Sequence, residues 1–251
     1  MTTARILRLT TASAIACAAA SVHAQAVPPA PAPANAPANA PANAPASDGM
    51  VDEGSFTILR KGVRVGRETF TIRRSLEGAE TVYIANATVE FDAQRLSPAL
   101  RTDTAFAPLA YQMEVRTNDQ LQLRLKGVIG RGRFSARVRT PSGEAAKEYI
   151  VSDGALVIDD MVFHQYYFLA QRVHGSAFTV PVVIPQRNVQ LTMRVQMAGV
   201  ERITVGGTPV DARKLVAAVS GGSRDIWIDA QGRVLKVVLG DITAVRDELP
   251  H

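Results

Sequence analysis

From Gly54 onward, apolar and polar residues alternate with a period of two. That is the pattern of strands with one dry and one wet face. Tyr83, Ala85, Ala87, Val89 and Phe91 share a side, with Thr88 and Glu90 among the residues opposite. Tyr111, Met113 and Val115 alternate with Gln112, Glu114 and Arg116, and Leu121, Leu123 and Leu125 with Gln122, Arg124 and Lys126. Phe134, Ala136 and Val138 alternate with Arg133, Ser135, Arg137 and Arg139. Val189, Leu191, Met193, Val195 and Met197 alternate with Gln190, Thr192, Arg194 and Gln196. One-sided strands of this kind belong to antiparallel sheet. Turn signals punctuate them at Lys61-Gly62, Glu77-Gly78, Asn118-Asp119, Pro141-Ser142-Gly143, Gly206-Gly207, Gly221-Gly222 and Gln231-Gly232. The apolar parity switches between Val63/Val65 and Phe70/Ile72, so Gly66 predicts a bulge.

One segment changes period. Residues 159–174 lack Gly and Pro, and Val162, Phe163, Tyr166, Leu169, Ala170 and Val173 recur at spacings of three and four. Asp159 and Asp160 suit a helix start and Gly175 its end, so a helix over 159–174 is expected. A single helix covers only part of the apolar surface of so many strands. The rest must be buried by closing or curving the sheet, by stacking two sheets, or by a ligand. The expected fold is therefore mainly β: a large curved antiparallel sheet, half-barrel or barrel-like, wrapping one α-helix. Two stacked sheets remain open as an alternative. An outer-membrane barrel needs aromatic girdles, which one Trp and five Tyr do not supply.

Composition changes this picture mainly at the N-terminus. The chain has 251 residues, 47% of them hydrophobic and 20% charged, with mean hydropathy +0.04. That is enough for a substantial core. Residues 1–24 read as a Sec-type signal peptide. Arg5 and Arg8 form the basic end, Leu9 to Ala20 the apolar stretch, and Val22-His23-Ala24 the small-residue cleavage site. Ala14-Ile15-Ala16-Cys17 offers lipidation at Cys17 as the alternative. Residues 25–49 form a Pro/Ala-rich linker that holds seven of the 14 Pro and repeats Asn at 35, 39 and 43. Residues 50–251 form the β-rich domain. The protein is thus expected in the periplasm or outside the cell. Its lone cysteine excludes an intramolecular disulfide framework.

Catalytic motifs are missing. There is no H-E-x-x-H, and His164 and His174 are ten residues apart and do not share a helix face, so they are expected at the helix surface or ends and no metal is expected. Gly-x-Ser-x-Gly is absent, Ser152-Asp153-Gly154 lacks the order of an aspartic protease, and Gly127, Gly130 and Gly132 lie between strands rather than before a helix. Glu68, Glu90 and Glu114 sit in strands and are expected on solvated faces. No catalytic residue and no cofactor is assigned. Two binding features stand out. Phe163, Tyr166 and Tyr167, with Phe168, Met113, Met193, Met197 and Trp227, are the candidate lining of an apolar cavity, where soft Met side chains suit a tolerant site. Arg131, Arg133, Arg137 and Arg139 share parity, and no acid lies between Gln120 and Gly143. They form a candidate anionic-surface stripe. With aromatics at 6%, nucleic acid is not expected as a partner.

The opening hairpin from Phe56 to Phe70, with Gly62, Gly66 and Glu68 in a Gly-x-x-x-Gly-x-Glu pattern, resembles the start of several bacterial secreted β-domains. The closing strands around Trp227, Asp229, Gly232, Arg233 and Lys236 resemble their final hairpin. The ensemble is similar to the LolA/LolB-like half-barrel envelope carriers. That resemblance implies a curved sheet around a helix and acyl chains as cargo. The function expected is non-catalytic binding of a lipid or other apolar small molecule in the cell envelope. Envelope proteins or an anionic membrane surface are possible further partners. The alternatives are an envelope scaffold with a packed core and a carboxylate-dependent hydrolase.

Overall fold

The computed structural model describes residues 49–250. The segments expected as signal peptide and linker, with Cys17, lie outside the described residues up to residue 48; Gly49 already belongs to a strand. The first eight strands are β1 Gly49–Arg60, β2 Val63–Glu77, β3 Glu80–Phe91, β4 Gln94–Thr102, β5 Pro108–Thr117, β6 Gln120–Gly130, β7 Arg133–Thr140 and β8 Gly143–Ile150. They form an up-and-down antiparallel meander. After them come β9 Leu156–Val157, α1 Tyr166–Ala170 and β10 Ala177–Ile184. The second meander continues through β11 Val189–Val205, β12 Thr208–Val219, β13 Gly222–Ile228, β14 Val234–Leu239 and β15 Ile242–Arg246.

β1 and β15 pair antiparallel from Phe56↔Arg246 to Arg60↔Ile242, which welds the two meanders into one sheet of 15 strands. Only β9 runs parallel to its neighbour, β10. The sheet is not closed, and β8 and β9 are its free edges. The two ends of the domain therefore meet mid-sheet, while its middle segment passes from one free edge to the other.

The expected turns form as read. Lys61-Gly62, Asn118-Asp119 and Gly206-Gly207 all take positive φ, as two-residue hairpins of matching twist require. The bulge expected at Gly66 is present. Ile58 pairs with Gly66 and Leu59 with Arg64, leaving Val65 as the extra residue. A Cβ on Gly66 would stand 2.1 Å from the Glu90 carbonyl oxygen, so only glycine fits. Beyond the bulge, Glu68, Phe70 and Ile72 all face inward and are buried.

One contiguous core lies against the inner face of the sheet, built from Phe56, Ile72, Met113, Phe134, Met193 and Ile226 among others. Its centre is filled by the chain itself. Residues 155–170 are buried almost without interruption, with Phe163, Phe168 and Leu169 at 1% exposure or less.

The helix expected over 159–174 shrinks to the five residues of α1. Met161 has a φ of 62°, in the left-handed region, which no helix can pass through. Before and through α1, Tyr166, Tyr167 and Phe168 donate to carbonyls three residues back, and Gln171 closes the helical turn with a four-residue bond to Tyr167. Arg172 and Val173 return to three-residue bonds. The segment is a chain of tight turns around one helical turn. Residues 162–170 have no wet face, since every one of them is buried.

Candidate functional site

The plug formed by residues 155–170 is held by polar anchors inside an apolar shell. Glu68 is fully buried on β2. Its Oε2 accepts the backbone N–H of Phe163 at 2.7 Å and its Oε1 that of His164 at 3.1 Å. The same Oε1 contacts His164 Nδ1. The His164 ring stacks on Phe70 with centroids 5.7 Å apart. The expected solvated Glu68 and surface His164 are thus both corrected. Glu68 shares parity with Phe70 and Ile72, and that pattern marks it as inward in the sequence itself. Glu90 is exposed as expected, and Glu114 is half-buried between Arg116 and Arg124. Those two guanidiniums hydrogen-bond its carboxylate and hold its pKa below the ordinary value.

A second anchor is Asp159, 3% exposed. It accepts the Tyr111 hydroxyl at 2.9 Å and the N–H groups of Asp160 and Gln186 at 3.0 and 3.4 Å. Gln165 Oε1 accepts the Asp159 N–H at 2.6 Å. Burial pushes the Asp159 carboxyl up to about 7 against the pull of these donors. Burial, and then the neighbouring Asp159, push the Tyr111 hydroxyl well above its usual range.

A raised carboxyl pKa stabilises the fold below the unfolded value near 4, and that contribution is lost as pH rises through about 7. Replacing Asp159 by Asn should cancel this dependence. The difference in Tm, variant minus wild type, should climb between pH 4 and 8 and then level off. A difference that stays flat over that range would show that Asp159 does not titrate in the fold.

Where the plug leaves the sheet, an open pocket of about 620 Å³ remains. Phe106, Phe178, Val180 and Pro181 supply apolar wall, with Arg172 and His174 beside them. Asp103 Oδ1 accepts the N–H groups of Ala105 and Ala107 and shapes the loop that carries Phe106. The Phe106 ring packs on Tyr83, Tyr167 and Phe168 at 5.0, 6.3 and 5.9 Å. Arg172 donates to the Ala105 and Gly154 carbonyls and so ties that loop to the start of the plug. Partial burial lowers its pKa.

The candidate lining residues separate into three places. Phe163, Tyr166, Tyr167, Met113 and Met193 are buried in the packed centre rather than around an open cavity. Met197 is partly buried at its margin. Trp227 lies apart, in a small outer cluster with Val205, Ala212 and Leu235. Its Nε1 donates to Glu201 at 2.8 Å, and Lys214 and Lys236 stand 4.9 and 4.7 Å from its ring. Of these candidates Tyr167 and the buried Phe168 approach the pocket, both through Phe106. The pocket has no contiguous signature, since loop 104–106, turn 153–154 and β10 meet there only in the fold. Among the described residues no group of three or more His, Cys, Asp or Glu is placed to hold a metal, and no helix is long and apolar enough to cross a membrane.

No protein-family model, curated protein or solved structure matches this chain.

Proposed function

We propose that this is a non-catalytic binding protein of the cell envelope that takes a lipid or similar amphipathic molecule at the mouth of its curved sheet. The observation that carries the reading is the open pocket of about 620 Å³ walled by Phe106, Phe178, Val180 and Pro181. That size is usual for small-molecule sites. An apolar tail there would leave water, and Arg172 and His174 are placed for an anionic or polar head. The signal-like N-terminus and the resemblance to half-barrel carriers support the compartment and the ligand class. The buried carboxylates support a non-catalytic role, because Glu68 and Asp159 spend their oxygens on the protein's own donors.

The test is titration of a fluorescent long-chain fatty acid into the purified protein. Saturable binding at one site is expected, and Phe178→Asp should weaken it at least tenfold, because a charge in the wall is desolvated by the tail. Absence of saturable binding, or a folded Phe178→Asp protein that binds equally well, would refute the reading.

A second reading, an envelope scaffold with a filled core, is favoured by one observation: the plug leaves the centre of the sheet packed. It predicts that no lipid co-purifies with the protein in native mass spectrometry and that envelope proteins are captured instead.

A further inference from the structure

On the outer face of β5 to β8 the register aligns cations across strands. Arg124 stands opposite Arg139, and Lys126 opposite Arg137. These four residues form a square, and with Glu144 they line a shallow depression. Like charges directly opposite each other on antiparallel strands destabilise a sheet. Little on the protein offsets that cost. Arg124 is spent on Glu114 at 2.6 Å. Arg139 faces Glu144 across the next ladder, at a separation beyond ion-pair distance. Lys126 and Arg137 are flanked in their row by Gln112 and Ala146, and neither forms an ion pair with a described residue. The stripe expected from sequence is thus widened. Arg133, Arg137 and Arg139 do share this face, while Arg131 lies in the β6–β7 turn with a φ of 51° and Arg133 reaches Glu148 at 3.7 Å. Arg124 and Lys126 join the face from the neighbouring strand.

Beside the square the same face turns apolar. A groove of about 610 Å³ runs past Ala110, Val128 and Ala146, with Lys126, Arg137 and Glu148 at its rim. Val128 is 63% exposed, and Ile150 on the free edge strand is 74% exposed. Cations next to exposed aliphatic side chains are the pattern of a surface that meets phosphates and the acyl boundary together. From this we infer that the outer face of β5 to β8 docks on an anionic lipid bilayer. Lys126 and Arg137 meet lipid phosphates, and Val128 and Ile150 insert between headgroups. This inference stands apart from the mouth pocket, which lies on other elements.

The experiment is co-sedimentation of the full chain with phosphatidylcholine vesicles, with and without one quarter phosphatidylglycerol. The readout is the gain in binding that the anionic lipid gives over neutral vesicles, compared between variants of the same chain, so that the contribution of the N-terminal residues, Arg5 and Arg8 included, is common to all of them. Arg137→Glu should cut that gain about tenfold or more, since each cation near an anionic surface counts appreciably. The same change places opposite charges at the Lys126 position, so its Tm should equal or exceed that of the wild type. Arg194→Glu, an exposed arginine on β11, is the charge-matched control and should bind like the wild type. Val128→Ser with Ile150→Ser should weaken the binding that survives in high salt. Equal anionic gain in folded Arg137→Glu overturns the proposal. So does a wild type with no gain, as expected if the face serves an acidic protein instead. Neither result bears on fatty-acid binding at the mouth.

Discussion

Glu68→Leu should lose about 4 kcal/mol or more of stability, read as a fall in Tm of about 10 °C. Leucine fills the space without a cavity and removes every acceptor. The N–H groups of Phe163 and His164 then stand buried without partners, as does His164 Nδ1. Each orphaned buried donor costs about 1–3 kcal/mol, and no water reaches a residue at 0% exposure to replace the lost oxygen. The location of the damage separates this account from general core disruption. Amide exchange over 159–170 should rise before that of β1 to β3, because Glu68 joins the plug to a sheet that keeps its own ladder. A Tm within two degrees of wild type, or uniform loss of protection, would show that the apolar contacts of Phe163 and Phe168 hold the plug unaided. If the expected result is found, the fatty-acid titration repeated on this variant measures how far the mouth depends on a seated plug.

Most strands were legible because each has one dry face. Tyr111, Met113 and Val115 alternate with polar residues, and all of them are core. The less legible strands have physical reasons of their own. β4 carries Pro98, which has no N–H, and its ladder with β3 breaks between Asn86↔Ala99 and Val89↔Leu96. β8 is a free edge exposed along nearly its whole length, so neither of its faces writes an apolar pattern. The 159–174 segment has helical spacing and yet folds as turns. Its backbone donors at Phe163 and His164 go to a carboxylate 95 and 96 residues away, a choice that local propensity cannot encode. For the site, the outer cations were visible as parity. Their cross-strand squaring needed the register of β6 on β7. The mouth pocket joins a loop, a turn and a strand that are distant in sequence, and it had no trace in the linear pattern.

Arg246→Met should cost about 3–5 kcal/mol, the usual result of stripping one partner from a buried ion pair. Arg246 and Asp52 are 2% and 5% exposed and meet through two contacts, at 2.7 and 3.1 Å. The guanidinium also reaches the carbonyls of Glu53 and Val234 and lies 5.3 Å from the Phe70 ring centroid. A Cβ on Gly54 would come within 2.9 Å of it, so a glycine opens the space it fills. The pair sits where β1 joins β15, and the ladder there runs over only Phe56–Arg60. A weak weld between two meanders is where an uncompensated charge should be felt by the whole sheet, so the loss should appear as one cooperative shift in urea midpoint. Adding Asp52→Leu to Arg246→Met removes the stranded carboxylate and should recover most of the loss, because an apolar pair of similar volume often matches a buried salt bridge. The two single changes and the double form a thermodynamic cycle. A large coupling with a rescued double variant means that the ion pair fixes how the meanders join rather than how strongly. A double variant that is no better than either single would place the cost in the lost contacts to Glu53, Val234 and Phe70, and the guanidinium would then be the bolt of the weld in its own right.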